Sequence, residues 1–276
     1  MPYEMLVSRR EPGLIVLVLD DSPSMGSPLP GSSDAKFTWV ERYAGHLLEE
    51  MLARSTVPAG EQWVIKQRYF LYTLMYGGET RVWGDGLQDI QAVVERYAAA
   101  GRSFGLAGQI NCTDTAQAFQ AALAFLQTAV TDDRFRRSFP PMLFHLTDGE
   151  SQTDARPVAE QVKALATADG NVLVVNAYIG THTSLAYTGP ADFPGYVSPE
   201  EAGPNSYPLA LFEMSSEMPA CIRQNLIDDG IFPAIRPGAR LLFDVRTREM
   251  LKHVIQVVGS IGARAAAPAT APDPVG

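Results

Sequence analysis

Three short stretches of this chain collect hydroxyls and carboxylates. Asp20, Asp21, Ser22 and Ser24 follow the apolar run 14–19 in LIVLVLDDSPS. Thr113, Asp114 and Thr115 stand in NCTDTA, where a helical pattern begins. Thr147, Asp148 and Glu150 close the apolar run 142–146 in MLFHLTDGE. All supply hard oxygen donors, and no histidine or cysteine converges with them. Such donors select Mg2+, Mn2+ or Ca2+ over zinc. Two hydroxyls and two carboxylates, completed by water, can form an octahedral shell. Because neutral hydroxyls leave the ion's charge incompletely neutralised, it stays a strong Lewis acid that attracts an anionic ligand.

The elements that must position these groups alternate between strand and helix. Residues 14–19 form a continuous apolar run of strand length, as in a strand covered on both faces. Val40, Tyr43, Ala44, Leu47, Leu48, Met51 and Leu52 then make one apolar helical stripe. Residues 69–76 read as a second strand. The short GGE turn allows only an antiparallel partner at 80–83, since a parallel one needs a crossover of about a dozen residues. Helices follow at 87–98 and 115–130, a strand at 142–146, a helix around 158–168 and a strand at 171–179. Residues 209–227 read as a helix broken at Pro219, and a last strand and helix fall at 240–245 and 247–259.

This alternation predicts an α/β fold: a doubly wound, mostly parallel sheet with one antiparallel edge strand and helices on both faces. Ligands in such folds bind beyond the carboxyl ends of the strands, at a topological switch point. The stretches at Asp20 and Asp148 both fall at such ends. Residues 1–264 read as a single domain, with a long polar loop or insertion at 180–206 and an Ala/Pro-rich, disordered tail at 265–276.

Asp20-x-Ser22-x-Ser24 after an apolar strand resembles the first signature of the metal-ion-dependent adhesion site (MIDAS) of von Willebrand factor A (VWA) domains, here of the intracellular bacterial type. Thr113 at a helix entrance resembles the second signature, and Asp148 after a later strand the third. The resemblance covers roughly residues 12–262 and implies a Rossmann-like VWA fold. It also implies a metal site of Asp20, Ser22, Ser24, Thr113 and Asp148 for Mg2+, or for Mn2+ or Ca2+. The two serines would bind directly, Thr113 directly or through water, and the aspartates largely through water. The remaining coordination place would take a Glu or Asp carboxylate from a partner protein. The loop after Ser24 and the 180–206 segment are both long for the family.

Several residues carry plainer readings. Ser22 and Ser24 alone suit a turn, and Thr115, or Thr113 instead, suits a helix cap. His145, inside an apolar strand, suits a satisfied core histidine. Trp39, Trp83, Tyr187 and Tyr196 suit either a binding rim or internal packing. No GxSxG elbow frames a nucleophilic serine, and no GxxxxGK[ST] phosphate loop is present.

The chain has 276 residues, 46% hydrophobic, with 22 basic and 31 acidic residues and a net charge of −9. That balance argues against nucleic acid and against an anionic membrane surface. Two cysteines give no disulfide framework. With no signal peptide at the start of the sequence, a cytoplasmic location is expected. The functional expectation is a protein-interaction module inside an intracellular complex, and not an enzyme. The alternative is a Mg2+-dependent phosphoester hydrolase of the aspartyl-phosphate type. That class needs a second carboxylate where Ser22 stands and a lysine near the later strands, and none lies between Lys66 and Lys163. A structural subunit with a vestigial site is a third reading.

Overall fold

The computed structural model describes all residues except 1, 29–31, 61, 109–111, 150, 181–182 and 261–276. The expected 265–276 tail therefore lies outside the described residues. Strand β1 (Gly13–Asp20) is buried along its whole length. A 3-10 turn, Pro23–Gly26, and helix α1 (Lys36–Ser55) follow. Strands β2 (Thr56–Ala59) and β3 (Gln62–Ile65) form a small separate hairpin. The chain continues through β4 (Tyr69–Tyr76), β5 (Thr80–Val82), β6 (Gln88–Asp89), α2 (Ile90–Ala99), α3 (Thr115–Ala129), β7 (Met142–Thr147) and α4 (Arg156–Ala164). A short pair, β8 (Ala166–Thr167) and β9 (Gly170–Asn171), leads into β10 (Leu173–Tyr178). Helices α5 (Pro199–Ala202), α6 (Ser206–Met214) and α7 (Ala220–Asp228), strand β11 (Leu242–Asp244) and helix α8 (Arg248–Ser260) complete the fold.

The main sheet runs in the order β11-β10-β7-β1-β4-β5. The β1–β4, β1–β7, β7–β10 and β10–β11 pairs are parallel. Two short antiparallel strands, β5 and β6, pair with β4. The apolar runs read from the sequence are these strands, because residues buried on both faces of a parallel sheet need no polar alternation. Helices α1, α2 and α8 pack in one layer, and α3, α4 and α6 in the other. From β1 the chain first moves outward to β4. It then returns to the opposite side of β1 for β7 and moves away through β10 and β11. The winding direction therefore reverses between β1 and β7, which opens a crevice at their carboxyl ends.

Helix details refine the expectations. The expected break in 209–227 is present, but α6 already ends at Met214, and Pro219 stands as the N-cap of α7. The cap of α3 is Asp114, not either threonine: its carboxylate accepts the Gln117 amide at 2.9 Å. Thr115 is the first helical residue. The described part of 180–206 is anchored by an aromatic cluster. Phe193 and Tyr196 are fully buried there, with Phe193 against Phe232 and Phe243 near β11. Trp39 and Tyr196 are therefore packing residues and not a rim. Trp83 leans on Phe104, and the Tyr187 hydroxyl donates to the Asp244 carbonyl at 2.6 Å.

Candidate metal centre

Asp20 is the last residue of β1 and has no exposed surface. Its Oδ1 accepts the Ser22 amide at 2.9 Å, and its Oδ2 accepts the Thr147 hydroxyl at 2.6 Å. The first bond folds the chain back so that Ser22 starts the 3-10 turn, with Pro23 fixing φ at its first position. The Ser22 and Ser24 hydroxyls lie 3.1 Å apart. The second bond ties the end of β1 to the end of β7, just before Asp148. Gly149 adopts φ +82 and its amide donates to the Thr147 hydroxyl at 2.8 Å. That left-handed turn after Asp148 suits glycine.

Asp21 binds a third segment to the edge. Its Oδ1 accepts the Ala107 and Gly108 amides at 2.7 and 2.8 Å, and its Oδ2 accepts Arg81 at 2.9 Å. Gly108, at φ +61, comes so close that a Cβ there would lie 3.1 Å from the Gly26 nitrogen. Glu41 of α1 holds the same loop through the Phe104 and Leu106 amides. The loop before α3 joins through its backbone: the Thr113 carbonyl accepts the Gln152 amide at 3.0 Å, and the Asp114 amide donates to the Gly77 carbonyl at 2.9 Å. Thr113 itself is buried. Asp20, Ser22, Ser24 and Asp148 thus share one crevice, and Thr113 lies on the loop beside it.

Below the crevice runs a buried polar chain. The Tyr76 hydroxyl lies 2.7 Å from His145 Nε2, and His145 Nδ1 lies 2.8 Å from Asn176 Oδ1. Asn176 Nδ2 donates to the Ser215 hydroxyl at 2.8 Å. The pattern is satisfied by a neutral imidazole with its proton on Nδ1, the Tyr76 hydroxyl donating to Nε2. Burial pushes the His145 pKa down to about 4. It is the satisfied core histidine, and it fixes the floor of the crevice.

The electrostatics of the crevice are unbalanced. Burial, and secondarily the charge of Asp148, push the Asp20 pKa up to about 7. Two carboxylates thus share a low-dielectric site, and a cation would relieve their repulsion. One cation is already present: Lys36, the first residue of α1, donates from Nζ to Asp148 Oδ2 at 2.9 Å. Sequence reasoning missed it because Lys36 lies 112 positions away and reads as an ordinary solvated lysine. Among the described residues no group of three or more His, Cys, Asp or Glu is placed to hold a metal. The donor set is instead hydroxyl-rich. Both Asp20 oxygens are engaged by Ser22 and Thr147, which suits a carboxylate that orients hydroxyl ligands and acts through water. The chemistry of this set fits a hard divalent ion.

No protein-family profile matches the sequence, and no curated protein does. Similarity appears at the level of structure. Proximal thread matrix protein 1 from the mussel byssus, solved with a zinc-occupied MIDAS motif, aligns with a TM-score of 0.50 at 9% identity, over 91% of this chain and 48% of that one. The fold is that of a VWA domain.

The VWA domain described as von Willebrand factor type A from Catenulispora acidiphila aligns with a TM-score of 0.47 at 12% identity, over 91% of this chain and 43% of that chain. BatB of Bacteroides thetaiotaomicron aligns at 0.49 and 14%, over 90% of this chain and 98% of that one. The chain spans about half the length of the mussel protein. Among the described residues, no helix is long and apolar enough to cross a membrane.

Proposed function

We propose that this chain is a metal-dependent protein-interaction module. Ser22, Ser24 and Thr113 would present hydroxyl oxygens to a divalent ion of the Mg2+ type, while Asp20 and Asp148 orient them and offset its charge. The bound ion would supply a coordination place for a carboxylate, so the partner is a protein that presents a Glu or Asp side chain, in keeping with an intracellular complex. Binding, not turnover, is the activity. The observation that carries this reading is the paired Ser22 and Ser24 hydroxyls beside two buried, mutually repelling carboxylates.

Lys36 supplies a lysine that the hydrolase alternative requires. Asp20 nevertheless makes a poor nucleophile. It has no exposed surface, and both of its oxygens accept internal hydrogen bonds. An attacking carboxylate must reach its phosphoester unobstructed.

Isothermal titration with Mn2+ and with a glutamate-bearing partner tests the module. Ser22→Ala should abolish measurable Mn2+ binding and partner capture while leaving the circular dichroism spectrum unchanged. Partner capture that persists in EDTA would overturn the reading, as would steady hydrolysis of p-nitrophenyl phosphate by the purified chain.

A further inference from the structure

Lys36 occupies an unusual position. It opens α1, where the helix dipole disfavours a cation, and no acidic residue shares its first turn. What offsets this is Asp148, with Nζ to Oδ2 at 2.9 Å and both side chains mostly withdrawn from water. The segment leading to Lys36 is pinned at its base. Pro28 and Ala35 form an antiparallel bridge, and the Lys36 amide donates to the Ser27 carbonyl at 3.1 Å. Asp34, two residues earlier, is held by Arg248 of α8 at 2.7 Å. Lys36 is therefore held at its backbone, and its ammonium reaches Asp148 from that position. Beside buried carboxylates such as Asp20 and Asp148, a held cation and an arriving divalent ion repel each other strongly.

We propose that Lys36 is a tethered counter-cation that competes with the divalent ion for the Asp148 carboxylate. The inference rests on the metal-site reading above. The site then exchanges between two fillings, an internal ammonium and an external divalent ion. Occupancy is set by free metal concentration rather than saturating at trace levels. Lys36 is thereby a residue that tunes affinity, not a ligand. Loading the metal frees the ammonium from Asp148 and moves it toward solvent.

Mn2+ binding followed by electron paramagnetic resonance on the full chain provides the test, with wild type, Lys36→Met, Lys36→Arg and Ser22→Ala. Lys36→Met should tighten Mn2+ binding tenfold or more. Lys36→Arg, which keeps the charge, should stay within a few-fold of wild type. Amine acetylation of the wild type, read by mass spectrometry, needs no variant: Lys36 should label faster with saturating Mn2+ than in EDTA. If Lys36→Met binds Mn2+ no more tightly than wild type, or labelling is indifferent to Mn2+, the competition does not exist. Loss of binding in Ser22→Ala would show that the metal site itself survives that failure. Mn2+ binding that ignores Ser22→Ala would instead remove the site and with it this proposal.

Discussion

Asp20 and Asp244 each end a strand of the same mixed sheet, β1 and β11, and neither has exposed surface. Burial pushes both carboxyl pKa values up. Their surroundings differ. Asp244 Oδ2 receives Arg246 at 2.7 Å and the Tyr196 hydroxyl at 3.1 Å, together with the Thr183 hydroxyl. Its Oδ2 is answered by a cation from within the chain, Oδ1 has no hydrogen-bond partner among the described residues, and Arg246 also lies over the Tyr187 ring. Asp20 receives hydrogen bonds from the Ser22 amide and from hydroxyls, and faces another carboxylate. One carboxylate is sealed into the architecture. The other is held in a geometry that a further cation would complete. Burial alone therefore does not distinguish the two aspartates. The source of their compensation does.

Replacement of the two aspartates should separate them most sharply. Asp244→Ala removes the carboxylate paired with Arg246 and the acceptor of the Tyr196 hydroxyl, and should cost about 3 kcal/mol in urea unfolding. In metal-free protein, Asp20→Ala removes hydrogen bonds but also a repulsion, so its cost should stay within about 1 kcal/mol. The contrast fails if both variants lose stability equally without metal.

Acidity gives a second, smaller difference. The native Asp20 pKa, about 7, stands above its usual value of 3.8, so its contribution to stability is full below pH 4 and fades as pH rises through 7. His145 works in the opposite sense. Its native pKa is about 4 against 6.5, so its contribution is full above pH 6.5 and fades as pH falls through 4. Each amounts to something on the order of 3 kcal/mol. In metal-free wild type the two offset each other across this window. Asp20→Asn should expose the His145 limb as a loss of stability from pH 6.5 to 4 that exceeds the wild-type loss. Thermal melts at matched ionic strength would show it, and identical pH profiles would argue against an unbalanced Asp20.

The smallest effect belongs to Arg81. Its guanidinium is half exposed, and Asp21 keeps two backbone amides without it. Arg81→Ala should cost under about 1 kcal/mol, and less than Arg246→Ala in the same denaturant series. The reverse order would mean that the edge at Asp21, not the one at Asp244, is held by its ion pair.

The parts of this molecule differ in how far they were legible in its sequence. Strands β1, β4, β7 and β10 were readable because residues buried on both faces leave an unbroken apolar run. Hairpin β2–β3 was not: Trp63 is 72% exposed, and Val64 and Ile65 are also exposed, so no burial pattern marked it. Asp114 carried a readable signal, an Asp followed three positions later by Gln117, which matches a capping box. Asp20, Ser22 and Ser24 were legible as a local group at a strand end. Lys36 was not, since its meaning comes from a long-range ion pair that no local spacing encodes.

The Tyr76–His145–Asn176 chain bears on how accurately the strands align. It crosses from β4 under β1 to β7 and β10, and His145 meets both of its partners only in this one alignment. A slip of β7 by a single residue would swing His145 to the opposite face, stranding a phenol and an amide in oil-like surroundings. The same slip would pull Thr147 away from Asp20. Misaligned chains are thus penalised twice, so only molecules with the strands correctly threaded retain an intact crevice above them.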